Sequence, residues 1–128
     1  ANDPVNYVDP SGHKRYSFCS VERTFRSYGR VVLSLKAEVK WIVINKRIYS
    51  PKMRCLGTYY EARRHSWKVA RCKYVENKIA KDRKTATVKM KVVITNLVAN
   101  ILVDTLFDVK CYYDGKTLWD GKLWMYKI

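Results

Sequence analysis

Histidine is almost absent from this chain of 128 residues, which contains only His13 and His65. Nucleases of the His-metal type need more than one histidine around the ion, and His13 stands far from His65 in a short N-terminal tail. Zinc deaminases need a His/Cys-Glu element together with Pro-Cys-x-x-Cys, and neither pattern occurs. The sequence therefore predicts neither a metal site nor a cofactor.

Acidic residues are also scarce, with 11 Asp and Glu against 26 Lys and Arg. Two-metal nucleases hold their ions with clustered carboxylates, whereas the carboxylates of this chain are scattered along the sequence. No Gly-x-Ser-x-Gly, P-loop or dinucleotide-binding fingerprint is present. The sequence therefore does not indicate a two-metal nuclease, a serine hydrolase of the Gly-x-Ser-x-Gly type, a P-loop enzyme or a dinucleotide-dependent enzyme.

The chain has no uninterrupted hydrophobic run long enough for a membrane helix. Its longest apolar stretch, residues 92–109, is interrupted by Asn96, Asn100, Asp104 and Asp108. The N terminus shows no basic segment followed by an apolar one, so we do not expect a signal peptide of its own. The protein is then expected to act in a cytoplasm or to be exported as part of something larger.

The four cysteines, Cys19, Cys55, Cys72 and Cys111, contain no Cys-x-x-Cys pair, so a zinc ribbon has little support. An even, dispersed set is compatible with two disulfides in an exported protein, for which three pairings exist, or with buried free thiols. A Cys–His peptidase would draw on Cys55 or Cys72 with His65, but no sequence feature brings them together.

Positive charge is abundant and uneven, within a net charge of +15. Residues 14–91 hold 22 basic and five acidic residues, whereas residues 92–128 hold four Lys and four Asp. This distribution predicts that one surface faces a polyanion while the C-terminal part mainly supplies core. Nucleic acid, an anionic membrane or wall polymer, and an acidic protein all fit, and a generically soluble basic domain is the plain alternative.

Period-two alternation of apolar and polar residues predicts long strands in two regions. One is Arg30–Ile44, with Val31, Leu33, Leu35, Ala37, Val39, Trp41 and Val43 on one face. The other is residues 85–95, with Ala86, Val88, Met90, Val92 and Ile94 directed inward. Asp114-Gly115, between the apolar runs 101–113 and 116–127, predicts a C-terminal hairpin.

The remaining segments predict shorter elements. Asn45-Lys46 is expected to turn the chain into a strand that Pro51 limits to an edge or a short run, and Gly57 is expected to break the chain again. Residues 59–66 read as a helical turn or loop, 67–75 as a strand and 78–84 as a charged loop. Six or seven strands result. The predicted fold is all-β, or a β-rich α+β fold, forming an antiparallel sandwich or a partly open barrel. A long curved meander would give the same sequence pattern.

The N-terminal residues carry a recognisable motif. Asp9-Pro10-Ser11-Gly12, preceded by Pro4-Val5-Asn6-Tyr7-Val8, resembles the segment that closes the conserved core of Rhs and other YD-repeat proteins, where Asp-Pro-x-Gly precedes one of many interchangeable toxin domains. The residue after Gly12 is His13, where the family pattern usually has Leu.

The resemblance implies a division of the chain into residues 1–13, the end of the Rhs core, and residues 14–128, a basic toxin effector. It implies that the parent protein is secreted and delivers the effector into competitor cells. Asp9 matches an aspartate of the family's self-cleaving pair, whose other member lies upstream. The resemblance also implies a cognate immunity protein, which we expect to be acidic because the effector is basic. The effector alone is expected to be monomeric.

The resemblance does not indicate which reaction the effector catalyses, so the candidate catalytic residues are taken from the sequence itself. One cluster contains the residue types that metal-independent RNA cleavage needs. Such cleavage requires a base for the 2′-hydroxyl proton, an acid for the leaving oxygen and cations around the phosphorane. The candidate catalytic residues are Tyr60, Glu61, Arg64 and His65. A basic domain also places Arg beside His by chance, so a surface or structural role for His65 is the alternative.

The candidate residues for binding RNA or another polyanion are Arg63, Lys68, Arg71, Lys73, Lys89 and Lys91. The competing hypothesis is a non-enzymatic cationic effector that acts on an anionic membrane or cell-wall polymer, with aromatic residues at the interface. The aromatic side chains suited to that role are Tyr112, Tyr113, Trp119, Trp124 and Tyr126, for which cross-strand core packing is the favoured alternative.

Overall fold

The computed structural model describes residues 5–8, 14–27, 29–59, 67–96 and 100–127. Within these ranges every regular element is a β-strand, and no helix that could span a membrane occurs. The strands are β1 (Val5–Val8), β2 (Lys14–Ser27), β3 (Arg30–Ile44), β4 (Arg47–Tyr59), β5 (Trp67–Ile79), β6 (Thr85–Asn96), β7 (Ile101–Tyr112) and β8 (Thr117–Lys127).

The eight described strands form two antiparallel four-stranded sheets with the orders β1-β2-β3-β4 and β5-β6-β7-β8. Each sheet is a meander, so consecutive strands are neighbours throughout. Buried side chains of both sheets form one hydrophobic core. The predicted all-β antiparallel fold is therefore confirmed, with two separate sheets and no closed barrel among the described strands. Residues 14–127 contribute seven of these strands, in agreement with the predicted six or seven, and β1 in the N-terminal tail is the eighth.

The core follows from the alternation in β3 and β6. In both strands every second residue is apolar, and a strand directs every second side chain to the same face. These side chains meet between the sheets together with residues of β2, β4 and β7. The largest fully buried ones are Trp41, Phe107, Leu35, Ile48, Ile94, Val21, Val39, Val88, Val92 and Val103.

Strand β4 corrects the predicted effects of Pro51 and Gly57. It continues through both residues to Tyr59, so the expected short run and chain break are wrong. It is nevertheless an edge strand of the described sheet, as Pro51 predicts. The register shifts between Lys40 and Ile42, which leaves Ser50 and Pro51 in a bulge where Ser50 has a φ of 53°. Since a bulge residue need not donate to the ladder, proline is tolerated there.

Tight turns close the hairpins predicted from short-range signals. Asn45 and Lys46 have φ values of 51° and 58°, which is typical of a two-residue type I′ turn between β3 and β4. In the C-terminal hairpin, the Gly115 N–H donates to the Tyr112 carbonyl at 3.1 Å, with Gly115 at a φ of 93°. The hairpin prediction is therefore confirmed.

Strand β5 and the loop after it have other bounds than predicted. The strand runs on to Ile79, beyond the predicted 67–75, and the charged loop is shortened to the turn at residues 80–84.

The N-terminal tail is part of the first sheet. Strand β1 pairs antiparallel with the beginning of β2, with Val5 opposite Phe18 and Val8 opposite Arg15. The segment assigned to the Rhs core by resemblance thus contributes a strand to the first sheet.

Candidate nucleic-acid interface

The predicted catalytic residues belong to the segment between β4 and β5. Tyr60, Glu61, Arg64 and His65, with the binding candidate Arg63, lie outside the described residues. Asp9 of the Asp-Pro-x-Gly motif also lies outside them. The structure therefore leaves their roles as predictions.

Three of the predicted binding residues form a row along β5. In the β5–β6 register Lys68 stands opposite Thr95, Arg71 opposite Val93 and Lys73 opposite Lys91. The odd-numbered residues of β6 alternate with the buried even-numbered ones, so all three cations are on the outward face of the second sheet. All three are exposed. We call Lys68, Arg71 and Lys73 the β5 row.

The row exists because β5 is irregular. Residues 68 and 71 are three positions apart, and on a regular strand such residues point to opposite faces. The register shifts between Val69 and Arg71, so one extra residue, Ala70, restores Arg71 to the outward face. A bulge thereby places three positive side chains on one surface at the edge of the sheet.

Lys89 and Lys91 lie on β6 beside the row but have acidic partners. Lys91 Nζ is 3.1 Å from Asp104 Oδ2, and Lys89 Nζ is 3.5 Å from Glu76 Oε2 and 3.8 Å from Asp108 Oδ2. Glu76 and Asp108 are 38% and 41% exposed, and exposed ion pairs of this kind are worth about 0–1 kcal/mol, so a phosphate can replace them at Lys89 at small cost. Asp104 is only 14% exposed, so its pair with Lys91 is harder to displace.

The β5 row differs from these lysines in its electrostatics. Within the described ranges, no carboxylate lies within ion-pairing distance of Lys68, Arg71 or Lys73. Lys73 is also directly opposite Lys91, and like charges at directly paired positions of a sheet repel. An anionic ligand bound along β5 would relieve that repulsion.

A second basic surface, on the outward face of the first sheet, was missed at the sequence level. A cavity of about 570 Å³ lies there, lined among others by Tyr16, Phe18, Lys40, Ile42, Lys52 and the acidic Glu38, which pairs with Arg54. We call this set the β2–β4 groove. Lys40 and Lys52 are directly opposite each other and exposed. Neither has a carboxylate at ion-pairing distance in the described part of the chain.

The missed groove depends on a register that the sequence does not display. Lys40 was assigned to an outward face, but Lys52 follows Pro51 and was not expected to be in a strand at all. The bulge at residues 50–51 is what brings Lys52 opposite Lys40. The alternation of Tyr16 and Phe18 with Ser17 and Cys19 was the available signal for β2.

Three of the four thiols, those of Cys19, Cys55 and Cys111, are poor candidates for a catalytic nucleophile. Burial raises the pKa of Cys55, and the nearby Cys72 thiol raises it further. Burial also raises the pKa of Cys19, and it raises the pKa of Cys111 to about 12. An activated cysteine needs a depressed pKa, so Cys55 does not resemble the nucleophile of a Cys–His peptidase. No group of three or more potential metal-ligating side chains occurs among the described residues.

The aromatic residues of the C-terminal hairpin divide between two environments. Trp119 and Tyr113 pack against the hydrophobic core, as the core interpretation predicts. Trp124 and Tyr126 are 42% and 52% exposed, and they stand opposite Asp104 and Leu102 on the outward face of the second sheet. These two are therefore available for contact with a ligand on the face that carries the β5 row.

No protein family matches the chain, and neither a curated protein nor a solved structure is significantly similar to it. The features of this chain that bear on function are the Asp-Pro-x-Gly sequence at the N terminus, the β5 row and the β2–β4 groove.

Proposed function

We propose that this chain is the C-terminal effector of a secreted Rhs/YD-repeat toxin, and that the effector inhibits competitor cells by binding RNA and cleaving it without a metal ion. The toxin class is supported by the resemblance of Asp9-Pro10-Ser11-Gly12 to the end of the Rhs core. The polyanionic target is supported by the β5 row, which is the observation that carries the proposal.

The geometry of the row suits a single strand of nucleic acid. Consecutive outward residues of a strand are about 7 Å apart, a spacing comparable to that of successive phosphates in an extended chain. When lysine and arginine side chains without acidic partners neutralise phosphates, the nucleic acid releases the counterions condensed on it. This release provides most of the non-specific binding affinity. Trp124 and Tyr126 are exposed on the same face and are suited to stacking with bases.

The predicted catalytic segment leads directly into this surface. His65 precedes Lys68 by three residues, so chain connectivity keeps the two within the span of a short oligonucleotide. In the proposed reaction Glu61 or His65 removes the 2′-hydroxyl proton, and the other group, or Tyr60, protonates the leaving oxygen. Arg64 stabilises the charge that develops on the phosphorane.

The test is RNA degradation by purified protein in the presence of EDTA. We expect cleavage to persist in EDTA, and His65→Ala to reduce it about 10²–10⁴-fold while the fold is retained. Replacing the β5 row by alanine should raise the RNA concentration needed for half-maximal cleavage. The matched control removes the same charge at Lys46, Lys81 and Lys127, which are exposed and lie off the row.

Two results would overturn the proposal. Cleavage that needs an added divalent ion would indicate a carboxylate site, and RNA that stays intact would exclude a ribonuclease. The second candidate function, a cationic effector on an anionic membrane or wall polymer, is favoured by the exposure of Trp124 and Tyr126. Intact RNA together with dye release from anionic vesicles would support that candidate.

A further inference from the structure

Cys55 and Cys72 are brought together from opposite sheets. Cys55 lies on β4, opposite Ala37, and Cys72 lies on β5, opposite Val92. Both thiols contact the same thioether, with Cys55 Sγ 3.0 Å and Cys72 Sγ 3.1 Å from Met90 Sδ. The Cys72 thiol lies close enough to Cys55 to raise the pKa of that residue. Of the three pairings that the sequence left open, this arrangement favours the one that joins Cys55 to Cys72.

The other two cysteines lie elsewhere in the core. Cys19 Sγ is 3.4 Å from Thr117 Oγ1, and Thr117 is the cross-strand partner of Cys111. Cys19 and Cys111 are both fully buried, whereas Cys72 is exposed. An oxidant in solution therefore reaches the Cys55–Cys72 pair and not the other pair.

We propose that Cys55 and Cys72 form a disulfide between the two sheets when the folded protein meets a small-molecule disulfide such as oxidised glutathione. The Cys72 thiolate attacks one sulfur of the oxidant, which releases one thiol and leaves a mixed disulfide on Cys72. The deprotonated Cys55 then attacks the Cys72 sulfur and releases the second thiol. Two protein thiols are oxidised, and the oxidant is reduced to two thiols that take up the two protons.

The environments of the two sulfurs set the order of these steps. Burial raises the pKa of Cys55, so its thiolate is rare at neutral pH and the exposed Cys72 reacts first. The second step should therefore be faster at higher pH, where more Cys55 is ionised. Bond formation also requires Met90 to move aside, because its thioether now contacts both sulfurs.

The disulfide would close a covalent loop over residues 55–72. That loop contains residues 60–66, the segment with the predicted catalytic residues, and it would link β4 to β5. Disulfides persist outside cells and are reduced in a cytoplasm, so the loop would be closed during export and opened after delivery. The disulfide itself does not depend on RNA being the target.

Peptide mapping tests the proposal, because trypsin places each cysteine in its own peptide. The four peptides are residues 16–23, 55–63, 72–73 and 111–116. After treatment of the folded protein with oxidised glutathione and blocking of free thiols, we expect one linked species that joins 55–63 to 72–73. Peptides 16–23 and 111–116 should carry the blocking group only after unfolding.

Variants and alternative outcomes make the test decisive. Cys72→Ser should abolish the linked species and leave Cys55 free, whereas Cys111→Ala should not affect it. The wild-type map decides the question alone if a variant fails to fold. A link from Cys55 to another cysteine, a Cys72 link between two chains, or free Cys55 and Cys72 after prolonged treatment would overturn the proposal.

Discussion

The hydroxyl of Tyr74 on β5 makes two hydrogen bonds to the backbone of Met53 on β4. Tyr74 Oη accepts from the Met53 N–H at 2.9 Å and donates to the Met53 carbonyl at 3.0 Å. One side chain thus satisfies both backbone polar groups of a residue on an edge strand of the described sheet. The contact joins the two sheets near Cys55 and Cys72.

We expect Tyr74→Phe to destabilise the protein by about 1 kcal/mol, because it leaves the Met53 N–H and carbonyl without this partner. Urea unfolding monitored by fluorescence measures the change in the free energy of unfolding. The slope of this free energy against urea concentration should be the same for both proteins. Tyr16→Phe is the matched control, since the Tyr16 hydroxyl makes no hydrogen bond to described residues. Equal stability of the two variants would contradict the assigned role of Tyr74.

The salt dependence of RNA binding should identify the binding face. Each phosphate contact on a single strand contributes about 0.7 to the slope of log affinity against log salt concentration. Arg71→Ala should lower the slope by about that amount if the β5 row contacts RNA. Lys52→Ala should leave the slope unchanged, and the reverse result would assign binding to the β2–β4 groove.

Removing a carboxylate from the second sheet should strengthen binding. Asp108 Oδ2 lies 3.8 Å from Lys89 Nζ, so Asp108→Asn removes one of the two carboxylates beside Lys89, leaves Glu76 in place and makes the lysine more available to phosphate. We expect tighter binding of single-stranded RNA, measured by fluorescence anisotropy at fixed salt. Asp114→Asn changes the net charge equally but lies in the hairpin turn, so it should have a smaller effect. Equal gains for both variants would indicate an effect of net charge alone.

Stability should decrease at alkaline pH when the thiols are reduced. The pKa of Cys111 is raised to about 12 by burial, whereas an unfolded cysteine titrates near 8.5. The folded state therefore holds this proton more tightly, and its stabilising contribution is complete below about pH 8.5 and is lost as pH rises toward 12.

The check compares the free energy of unfolding near pH 7 and near pH 10 in the presence of a reductant. Cys111→Ala should reduce the loss between the two conditions by on the order of 1 kcal/mol. Val109→Ala also removes buried apolar volume but has no titrating group, so it should keep the wild-type pH dependence. A Cys111→Ala variant with unchanged pH dependence would refute this assignment.

A cognate immunity protein is expected to be acidic and to cover the β5 row. Complementary charge accelerates association and is screened by salt, so affinity should fall as ionic strength rises. Calorimetry at increasing salt concentration measures this dependence. A basic partner, or binding that salt does not weaken, would contradict the expectation.

The local pattern of the sequence determined the all-β class, the inward faces of β3 and β6, and the C-terminal hairpin. Each of these depends on residues that are neighbours along the chain. The alternation of side chains repeats every two residues, and Asp114-Gly115 provides the backbone freedom that a tight turn needs. Such features require no knowledge of what packs against them.

The tertiary structure decided where the functional side chains face and which of them meet. The bulge at Ala70 puts Arg71 beside Lys68 and Lys73, and the bulge at Ser50 and Pro51 places Lys52 opposite Lys40. A bulge is defined by the register against a partner strand, and the shared contact of Cys55 and Cys72 with Met90 depends on the packing of the two sheets. Both depend on pairings between distant segments, which the alternation of a single strand does not encode.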